Sequence, residues 1–264
     1  MGKEKIAALI GHSGFVGSTL LRQTDFDALY RSTTISEVVG RAFDLVVCAA
    51  APAQKWIANK NPQADRETVA QLMAHLDTLT CKRFVLVSTV DVFERPDGVD
   101  EDTPIDRRGL QPYGLHRHEL EDFVRARFPH SLIVRLPGLV GPYLRKNVIF
   151  DFLNDNNLHT IDSRHIFQFY PMVNLWADIQ TALDADLKLV HLTAEPVSVA
   201  YVARHGFNRP FTQVLDGRPM RYDMRTRHAA LFGGAGGYQY SQRESIMAIR
   251  AYAQSEHRKV ADAA

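Results

Sequence analysis

The chain has 264 residues, of which 45% are hydrophobic and 23% are charged, the composition of an ordinary globular protein rather than of a disordered or fibrous one. Its 31 basic side chains nearly balance its 30 acidic ones, leaving a formal net charge of +1, and this balance argues against nucleic acid or an anionic membrane as the main partner. The two cysteines, Cys48 and Cys81, are too few for a disulfide framework and lack metal-ligand spacing, so we expect a reducing, cytoplasmic location.

Short apolar runs alternate with longer amphipathic stretches in the first half of the chain, the pattern of βαβ units on a parallel sheet. In chain order, the runs predict strands at residues 6–10, 28–30, 45–48, 84–87 and 132–136. The stretches between them predict helices at residues 14–22, 62–79 and 113–127. The predicted strands are rich in aliphatic residues and contain no internal proline, as expected for strands covered by helices on both faces.

The pattern becomes less regular after Pro137, where glycines, prolines and asparagines interrupt the apolar runs. A late strand at residues 187–192 and a closing helix at residues 242–253 are the regular elements predicted in this part. We therefore expect a sheet domain over residues 1–145, to which residues 170–195 return, and a smaller lobe formed by residues 146–169 and 196–264.

A glycine-rich turn, GHSGFVGS at residues 11–18, directly follows the first predicted strand and opens the first predicted helix. Glycines at 11, 14 and 17 allow a tight turn and a close approach to a pyrophosphate, and the helix N-terminus offers unpaired N–H groups to it. The alternative is that these glycines are needed only for the backbone conformation of the turn. The position of the turn favours an α/β fold with a Rossmann-type, doubly wound parallel sheet and a small C-terminal lobe.

Four further segments match, in order, a known family. They are FVLVSTVDVF at 84–93, EDTP at 101–104 followed by QPYG at 111–114, RLPGLVGP at 135–142 and EPVS at 195–198. Together with the glycine turn, they resemble the extended branch of the short-chain dehydrogenase/reductase superfamily, the epimerase/dehydratase-like enzymes that act on nucleotide sugars. Within that branch the chain looks nearest to the enzymes that form GDP-fucose and dTDP-rhamnose. The resemblance implies a dinucleotide-binding first domain and a substrate-binding lobe.

The resemblance also implies which residues bind a nicotinamide dinucleotide. They are Gly11, Ser13, Gly14, Phe15, Val16, Gly17, Arg31, Ser32, Ala49, Ala50, Ala51, Ser88, Tyr113, Arg117 and Leu136. No acidic residue follows the second predicted strand; Arg31 and Ser32 stand there instead. An arginine beside a hydroxyl suits a 2′-phosphate, so we predict NADP(H), with NAD as the other possibility. The alternative is that Arg31 is merely a solvated residue.

The superfamily reduces a ketone with a tyrosine, a lysine four residues later and a serine or threonine. Motif matching gives Thr89 the hydroxyl role and Tyr113 the acid/base role, and helical spacing places residue 117 on the same face as Tyr113. Residue 117 is Arg117, which can supply charge but cannot shuttle a proton. Two interpretations follow: an active enzyme in which Arg117 acts by charge alone, or a chain that has kept the fold and lost turnover.

Asp91 follows Thr89 at a position where nucleotide-sugar dehydratases carry a carboxylate. Because Val90 occupies the preceding acid position, the paired carboxylates of dehydration are incomplete. Asp91 is a candidate base beside the sugar, working with His116 or His118; the alternative is a residue that caps a turn. Cys48 and Cys81 are expected to fill apolar space.

The resemblance places the substrate on the later lobe. The candidate substrate-binding residues are Asn147, Gln168, Arg221 and Arg225. The arginines are candidates for binding a diphosphate, and a solvated basic face is their alternative reading. None of the eleven histidines shows HxxxH or HExxH spacing, so no metal is predicted.

These expectations combine into an NADP-dependent oxidoreductase, a reductase or reductase/epimerase, acting on a keto-sugar nucleotide. The alternatives are a nucleotide-sugar 4-epimerase with tightly held NAD(P) and a catalytically weakened, cofactor-binding regulatory protein. By analogy we expect a homodimer packed through residues 62–79 and 113–127, with a small-molecule substrate and neither nucleic acid nor membrane as partner. No apolar run approaches the ~18 residues of a membrane span, and the first residues lack the pattern of a secretory signal.

Overall fold

The strands of the protein are short and are spread along the whole chain. The computed structural model describes residues 6–258. The strands are β1 (Ala7–Ile10), β2 (Ala28–Tyr30), β3 (Ala42–Cys48), β4 (Thr80–Thr89), β5 (Asp97–Val99), β6 (Ser131–Leu136), β7 (Gly138–Val140), β8 (Ile166–Phe167), β9 (Phe169–Pro171), β10 (Leu189–His191), β11 (Val197–Ser198) and β12 (Asp223–Met224). The helices are α1 (Phe15–Gln23), α2 (Lys55–Lys60), α3 (Pro62–Asp77), α4 (Pro112–Arg127), α5 (Val148–Asn154), α6 (Leu175–Asp184), α7 (Val199–Phe207) and α8 (Gln242–Ser255).

Six strands form one parallel sheet in the order β10-β6-β4-β3-β1-β2. This confirms the predicted α/β fold with a Rossmann-type sheet. The strands β2 and β3 lie on either side of β1, so the order reverses there and opens a crevice at the carboxyl ends of β1 and β3. One strand lies beyond β1, where the common six-stranded dinucleotide-binding order has two. Residues 31–41, which join β2 to β3, contain a single 3-10 turn at Ile35–Val38.

The sequence predicted the sheet strands, the helices α1, α3 and α4 of the first unit and the closing helix α8 of the second, with small differences at their ends. The strand β4 is longer than predicted, running from Thr80 to Thr89 rather than over 84–87. The sequence analysis missed α6, which immediately precedes β10. Its buried side chains Leu175, Ile179 and Ala182 recur at helical spacing. The segment was not predicted as a helix because the residues on either side of it have no regular pattern.

The core of the sheet is built from alternating aliphatic and aromatic side chains covered by α3 and α4. Phe84 of β4 stacks on Phe128, with ring centroids 4.3 Å apart. Cys48 is fully buried in this cluster, and burial raises the pKa of its thiol to about 11, which agrees with a role as an apolar filler. Cys81 is only half-buried against the same cluster, because it lies near the amino end of β4, where the strand meets solvent.

The chain forms two compact units. The first comprises residues up to Glu94, Glu101–Leu136 and Leu175–His191, and the second comprises Arg95–Asp100, Pro137–Asn174 and the residues from Leu192 onward. The second unit contains three two-stranded sheets, pairing β11 with β8, β12 with β5 and β7 with β9. The functions assigned to the two domains from the sequence stay predictions. No helix within residues 6–258 is long and apolar enough to cross a membrane.

A buried carboxylate, Glu121, fixes α4 to the sheet. Its Oε1 accepts hydrogen bonds from Ser88 Oγ at 2.6 Å and from Arg135 Nε at 3.0 Å, and its Oε2 accepts from Arg135 Nη2 at 2.7 Å and Arg125 Nη2 at 2.9 Å. Burial by itself raises the pKa of Glu121, but His118, Arg135 and Ser88 hold it well below its usual range. Glu121 is therefore ionised within the core.

We expect Glu121→Gln to lower the free energy of unfolding by about 3–5 kcal/mol, because it leaves the buried Arg135 without its counter-ion. The control is Glu119→Gln on the same helix, which removes an exposed 3.2 Å pair with Arg66 and should cost less than about 1 kcal/mol. Urea denaturation measures both. Since the folded pKa of Glu121 is depressed, its contribution is present above its unfolded pKa and is lost as the pH falls through the folded value. Equal losses in the two variants would contradict the role of Glu121.

Candidate active site

The glycine turn is held between the carboxyl ends of β2 and β3. Gly11 N donates to Tyr30 O at 2.8 Å, and Ala49 N donates to Ile10 O at 2.8 Å. Gly11 has a φ of 92°, and a Cβ atom built on it would lie 2.6 Å from the carbonyl carbon of Ala49. Helix α1 begins after Gly14, and no side chain among the described residues caps its first turn. The turn thus keeps backbone N–H groups of the helix N-terminus open to an anion.

The predicted cofactor-binding residues lie at these strand ends. Arg31 and Ser32 are exposed just after β2, Ala49–Ala51 follow β3 in the chain, and Leu136 is buried at the end of β6. The hydroxyl of Ser88 donates to Glu121 inside the core, and its part in cofactor binding stays a prediction.

Thr89 and Tyr113 lie together at the end of β4. The Thr89 hydroxyl accepts a hydrogen bond from Asp91 N at 3.1 Å and shares another with the Tyr113 phenol. A Cβ atom on Gly114 would lie 1.9 Å from the carbonyl oxygen of Asp91, so glycine at this position lets α4 approach the turn after β4. The amide of Tyr113 donates to Asn59 Oδ1 of α2 at 3.0 Å. These contacts fix the phenol beside Thr89.

Tyr113 is 8% exposed, and the groups around it shift its pKa in both directions. Burial raises the pKa of Tyr113, as does the charge of Asp91, whereas the charges of Arg117 and Lys55 and the hydrogen bond with Thr89 lower it. The net direction is upward from the ordinary value of 10.0. The phenol therefore stays protonated at neutral pH.

Arg117 lies on the same helical face as Tyr113, as its spacing predicts, with its Cζ 4.0 Å from the centroid of the tyrosine ring. It is also buried and bound to a carboxylate that the sequence analysis did not identify. Both terminal nitrogens of Arg117 bind Asp65 of α3, with Nη2 at 2.8 Å from Oδ1, and Nη2 also donates to Pro52 O at 2.5 Å. His116 Nδ1 lies 2.7 Å from Asp65 Oδ2. The charge of Arg117 is thus compensated at short range.

These contacts depress the pKa of Asp65. Burial raises it, but the hydrogen bonds and charges of Arg117 and His116 prevail and hold it below the ordinary value. The Nε of Arg117 is buried and has no hydrogen-bond partner among the described residues. One donor of this guanidinium therefore remains available for a polar group of a ligand.

A second cation, Lys55, lies on the other side of the site. Its Nζ is 2.6 Å from Asp91 Oδ1, while Asp91 Oδ2 accepts from the Thr89 hydroxyl at 3.4 Å. The histidines considered as partners of Asp91 contact other carboxylates: His116 binds Asp65, and His118 lies 3.7 Å from Glu121. The cap of the turn is Thr89 rather than Asp91. Asp91 therefore has its carboxylate between a lysine and the Thr89 hydroxyl.

The chain matches a protein family and solved structures, and no curated protein matches it. The model of the NAD dependent epimerase/dehydratase family matches residues 25–164, which is more than half of the chain. The chain belongs to this family. The membership confirms the resemblance drawn from the motifs and makes the protein an NAD(P)-dependent enzyme of the extended short-chain dehydrogenase/reductase superfamily.

Solved structures of this epimerase/dehydratase type share the fold at low sequence identity. A dTDP-4-dehydrorhamnose reductase from Bacillus anthracis, in complex with NADP, is 16% identical with a TM-score of 0.68, covering 97% of this chain and 100% of that one. A UDP-glucuronic acid 4-epimerase from Bacillus cereus, in complex with NAD, is 16% identical with a TM-score of 0.70, covering 94% and 98%. A dTDP-glucose 4,6-dehydratase from Streptomyces venezuelae, with NAD bound, is 16% identical with a TM-score of 0.71, covering 94% and 97%. These likenesses establish the fold and leave the reaction open.

Two of the residues proposed from the sequence for substrate binding have structural roles in the second unit. Gln168 is 1% exposed; its Nε2 donates to Thr193 Oγ1, Ala194 O and Met224 O, and its Oε1 accepts from Met224 N at 2.7 Å. The amide of Gln168 therefore joins these segments, and its role in substrate binding stays a prediction. Asn147 caps α5, accepting from Ile149 N and donating to Leu139 O, both at 2.9 Å, and its role in substrate binding stays a prediction.

The two predicted arginines are half-exposed and belong to ion pairs of the second unit. Arg221 Nε lies 2.7 Å from Asp97 Oδ1, and Arg225 Nη2 lies 2.8 Å from Asp223 Oδ2. Their role in substrate binding stays a prediction. No group of three or more His, Cys, Asp and Glu side chains within residues 6–258 is arranged to hold a metal ion.

The sequence analysis missed Lys55 and Asp65, although a signal existed for each. Asp65 continues the buried stripe of Val69, Leu72 and Leu76 on α3, and an acid on such a stripe indicates a buried partner. Lys55 follows β3 and Asp91 follows β4. Because these neighbouring parallel strands end at the same edge of the sheet, residues just beyond them are expected to be near one another.

We expect Gly11→Ala to destabilise this family member by about 1–3 kcal/mol more than Gly40→Ala. Both glycines have positive φ values, 92° and 69°, but a Cβ atom on Gly11 meets the Ala49 backbone whereas one on Gly40 meets open space. Both variants incur the cost of a left-handed conformation, and Gly11→Ala adds overpacking. Thermal unfolding measures the difference; equal losses would show that the turn is not closely packed.

Proposed function

We propose that the protein is a cytoplasmic, NADP-dependent reductase of a keto-sugar nucleotide, in which Tyr113 donates the proton. One observation supports this proposal above the others: a buried, protonated Tyr113 phenol is hydrogen-bonded to Thr89 and stacked against Arg117. Reduction of a ketone requires a proton donor at the oxygen that becomes an alkoxide, together with a second group that positions the same oxygen. Family membership supplies the chemical context.

The residues of the glycine turn fit a dinucleotide. The positive φ of Gly11 and its contact with Ala49 allow a close backbone approach, and the uncapped N-terminus of α1 suits a pyrophosphate. Arg31 and Ser32 are exposed beyond β2, where an arginine and a hydroxyl favour the 2′-phosphate of NADP over NAD. The Bacillus anthracis reductase binds NADP and the Bacillus cereus epimerase binds NAD, so NAD remains the second candidate.

The mechanism assigns one task to each side chain. The reduced nicotinamide supplies the hydride when it is bound. Tyr113 donates its phenolic proton to the carbonyl oxygen as negative charge develops there, and the Thr89 hydroxyl orients that oxygen by a hydrogen bond. Arg117 packs against the tyrosine ring, and its Nε, which has no partner among residues 6–258, would be the donor of this guanidinium left for a polar group of the cofactor. Asp91, which the family resemblance places beside the sugar, would bind a ring hydroxyl through its carboxylate.

The substrate class is proposed from the family and the arginines. The neighbouring structures include enzymes of dTDP-4-dehydrorhamnose and UDP-glucuronic acid. Arg221 and Arg225 are the proposed contacts of the nucleotide diphosphate, since guanidinium groups bind phosphate oxygens in a bidentate manner. We also propose a homodimer through α3 and α4, which analytical ultracentrifugation tests.

One observation favours a second candidate function, a catalytically weakened cofactor-binding protein. The Asp65 carboxylate compensates the charge of Arg117, so the cation that lowers the tyrosine pKa is less effective than an unpaired one. A panel of keto-sugar nucleotides with NADPH distinguishes the two, because oxidation of NADPH identifies a reductase. A 4-epimerase instead retains nicotinamide through purification and turns over without added NADPH.

We expect Tyr113→Phe to lower kcat by about 10²–10⁴-fold, the usual contribution of a positioned proton donor. The dissociation constant for NADPH should stay close to the wild-type value, since the ring and its stacking on Arg117 are kept. The matched control is Tyr143→Phe, an exposed tyrosine of the second unit, which should leave kcat unchanged. Steady-state kinetics and NADPH fluorescence titration give the two numbers. A Tyr113→Phe variant with wild-type kcat would refute the assignment.

We expect Arg31→Ala to weaken NADPH binding by about tenfold to a hundredfold while leaving NADH binding unchanged. The loss corresponds to charge-assisted hydrogen bonds of about 1.5–3 kcal/mol. Arg41→Ala is the control, because Arg41 is exposed next to the opposite, amino-terminal end of β3. An unchanged ratio of the two dissociation constants would remove Arg31 from the cofactor site.

A further inference from the structure

Lys55 has no counterpart among the catalytic residues considered so far, yet it lies in the site. It is the first residue of α2, after β3, and Asp91 lies in the turn after the neighbouring strand β4. Its Nζ is 2.6 Å from Asp91 Oδ1, with the lysine side chain 44% exposed and the aspartate side chain 18% exposed. The pair therefore reaches from the site to solvent.

A continuous set of hydrogen bonds joins this pair to the buried phenol. Lys55 donates to Asp91 Oδ1, the Thr89 hydroxyl lies 3.4 Å from Asp91 Oδ2, and Thr89 shares a hydrogen bond with Tyr113. Each member is a group that can both give and take a proton within the range of ordinary side-chain chemistry. The path ends at the partly exposed ammonium.

The residue one helical turn after the tyrosine cannot provide such a path. Arg117 is charged at every working pH and does not exchange its proton. Its guanidinium is also 2% exposed and is bound by Asp65 and Pro52. A buried phenolate left by proton donation thus has no route to solvent through Arg117.

We propose that Lys55, acting through Asp91 and Thr89, returns a proton to Tyr113 after each reduction. This rests on the proposed function, in which Tyr113 is the proton donor. Lys55 is a positioning residue in this scheme, since it touches neither substrate nor cofactor.

The proton balance is simple. Tyr113 gives its proton to the substrate oxygen and becomes a phenolate. The Lys55 ammonium first protonates the Asp91 carboxylate, and the resulting carboxylic acid turns its O–H toward Thr89. The Thr89 hydroxyl proton then passes to the phenolate oxygen as Thr89 takes the carboxylic-acid proton, which restores the Asp91 carboxylate and leaves Lys55 neutral. Lys55 then takes a proton from water. One solvent proton is consumed per reduced substrate, and no residue changes its oxidation state.

The charged groups that face Tyr113 come from three elements: Arg117 of α4, Asp91 of the turn after β4, and Lys55 of α2. Lys55 is the one of these with a half-exposed cation that can exchange protons. A change at Lys55 should therefore be visible in the pH dependence of the reaction.

The first experiment compares Lys55→Met and Lys55→Arg with the wild type. Methionine removes both charge and proton, whereas arginine keeps the charge and cannot relay a proton. We expect both variants to lower kcat by about 10–100-fold, less than the full effect of a lost proton donor, with KM unchanged. Added ethylamine should restore part of the kcat of Lys55→Met, and both variants should lose the wild-type pH profile of kcat. Lys60→Met, an exposed lysine of the same helix, is the control and should behave as wild type.

The second experiment needs no turnover. The ionisation of Tyr113 is followed by tyrosinate absorbance, with Tyr113→Phe as the reference. Lys55→Met should raise the pKa of Tyr113, and Lys55→Arg should not. A wild-type value in Lys55→Met would overturn the coupling of Lys55 to Tyr113.

The outcomes separate the two proposals. If the wild type is active and Lys55→Met or Lys55→Arg keeps the wild-type kcat and pH profile, the relay is overturned and the proposed function stands. If the wild type binds NADPH but reduces no keto-sugar nucleotide, the proposed function and the relay as a catalytic step both fail. In that case the titration still decides whether Lys55 and Tyr113 are coupled.

Discussion

The pairing of two buried carboxylates with cations of helix α4 and its neighbours determines where the candidate site lies. Asp65 of α3 binds Arg117 and His116 on one side of α4, and Glu121 of α4 itself binds Arg135 of β6. A buried ion pair is weak support for stability in general, but it fixes geometry because separating the partners leaves an unpaired charge in the core. Helix α4 is therefore held in one position between α3 and the sheet, and Tyr113 is held with it.

The strand order brings the other parts of the site to the same edge of the sheet. Because β1, β3 and β4 are neighbours, the glycine turn after β1, Ala49 after β3 and Thr89 at the end of β4 lie at adjacent carboxyl ends. The reversal of the strand order at β1 leaves a crevice at this edge. Candidate binding residues from segments far apart in sequence thus meet without any long loop.

The sequence was sufficient for the features that depend on local pattern. The alternation of apolar runs predicted the sheet. The family resemblance grouped Thr89 with Tyr113, and helical spacing placed Arg117 on the same face as Tyr113; the three residues lie together in the structure. The sequence was insufficient where the hydrogen-bond partners of a polar side chain lie in segments far away along the chain. Gln168 matches a motif position by its place in the chain, but its partners Thr193 and Met224 lie in segments that only folding brings together.

The same limit explains why the ion pair of Arg117 could not be predicted. The identity of that residue could be read directly, whereas its compensation by Asp65 depends on how α3 packs against α4. Likewise, the pairing of β5 with β12 joins residues near 98 to residues near 223, and no periodicity within either segment indicates the other. Polar pairs between segments far apart in the chain are the part of this fold that the pattern of residues along the sequence does not predict.

The pairing of Arg117 and Lys55 with carboxylates also affects whether Tyr113 starts the reaction as a proton donor or as a proton acceptor. An uncompensated cation 4 Å from a phenolate would stabilise it by about 4 kcal/mol at an effective dielectric constant of 20. Here each nearby cation has its own carboxylate, Arg117 with Asp65 and Lys55 with Asp91, so burial prevails and the pKa of Tyr113 is raised. A phenol that stays protonated can donate a proton at once, but it must first lose one before it can accept. Reduction of a ketone begins with donation of a proton by the tyrosine. Oxidation of a sugar alcohol, the first step of an epimerase, begins with acceptance of a proton by the tyrosine. The electrostatics of Tyr113 are therefore those of a group that begins as a proton donor, which is what the proposed reduction requires.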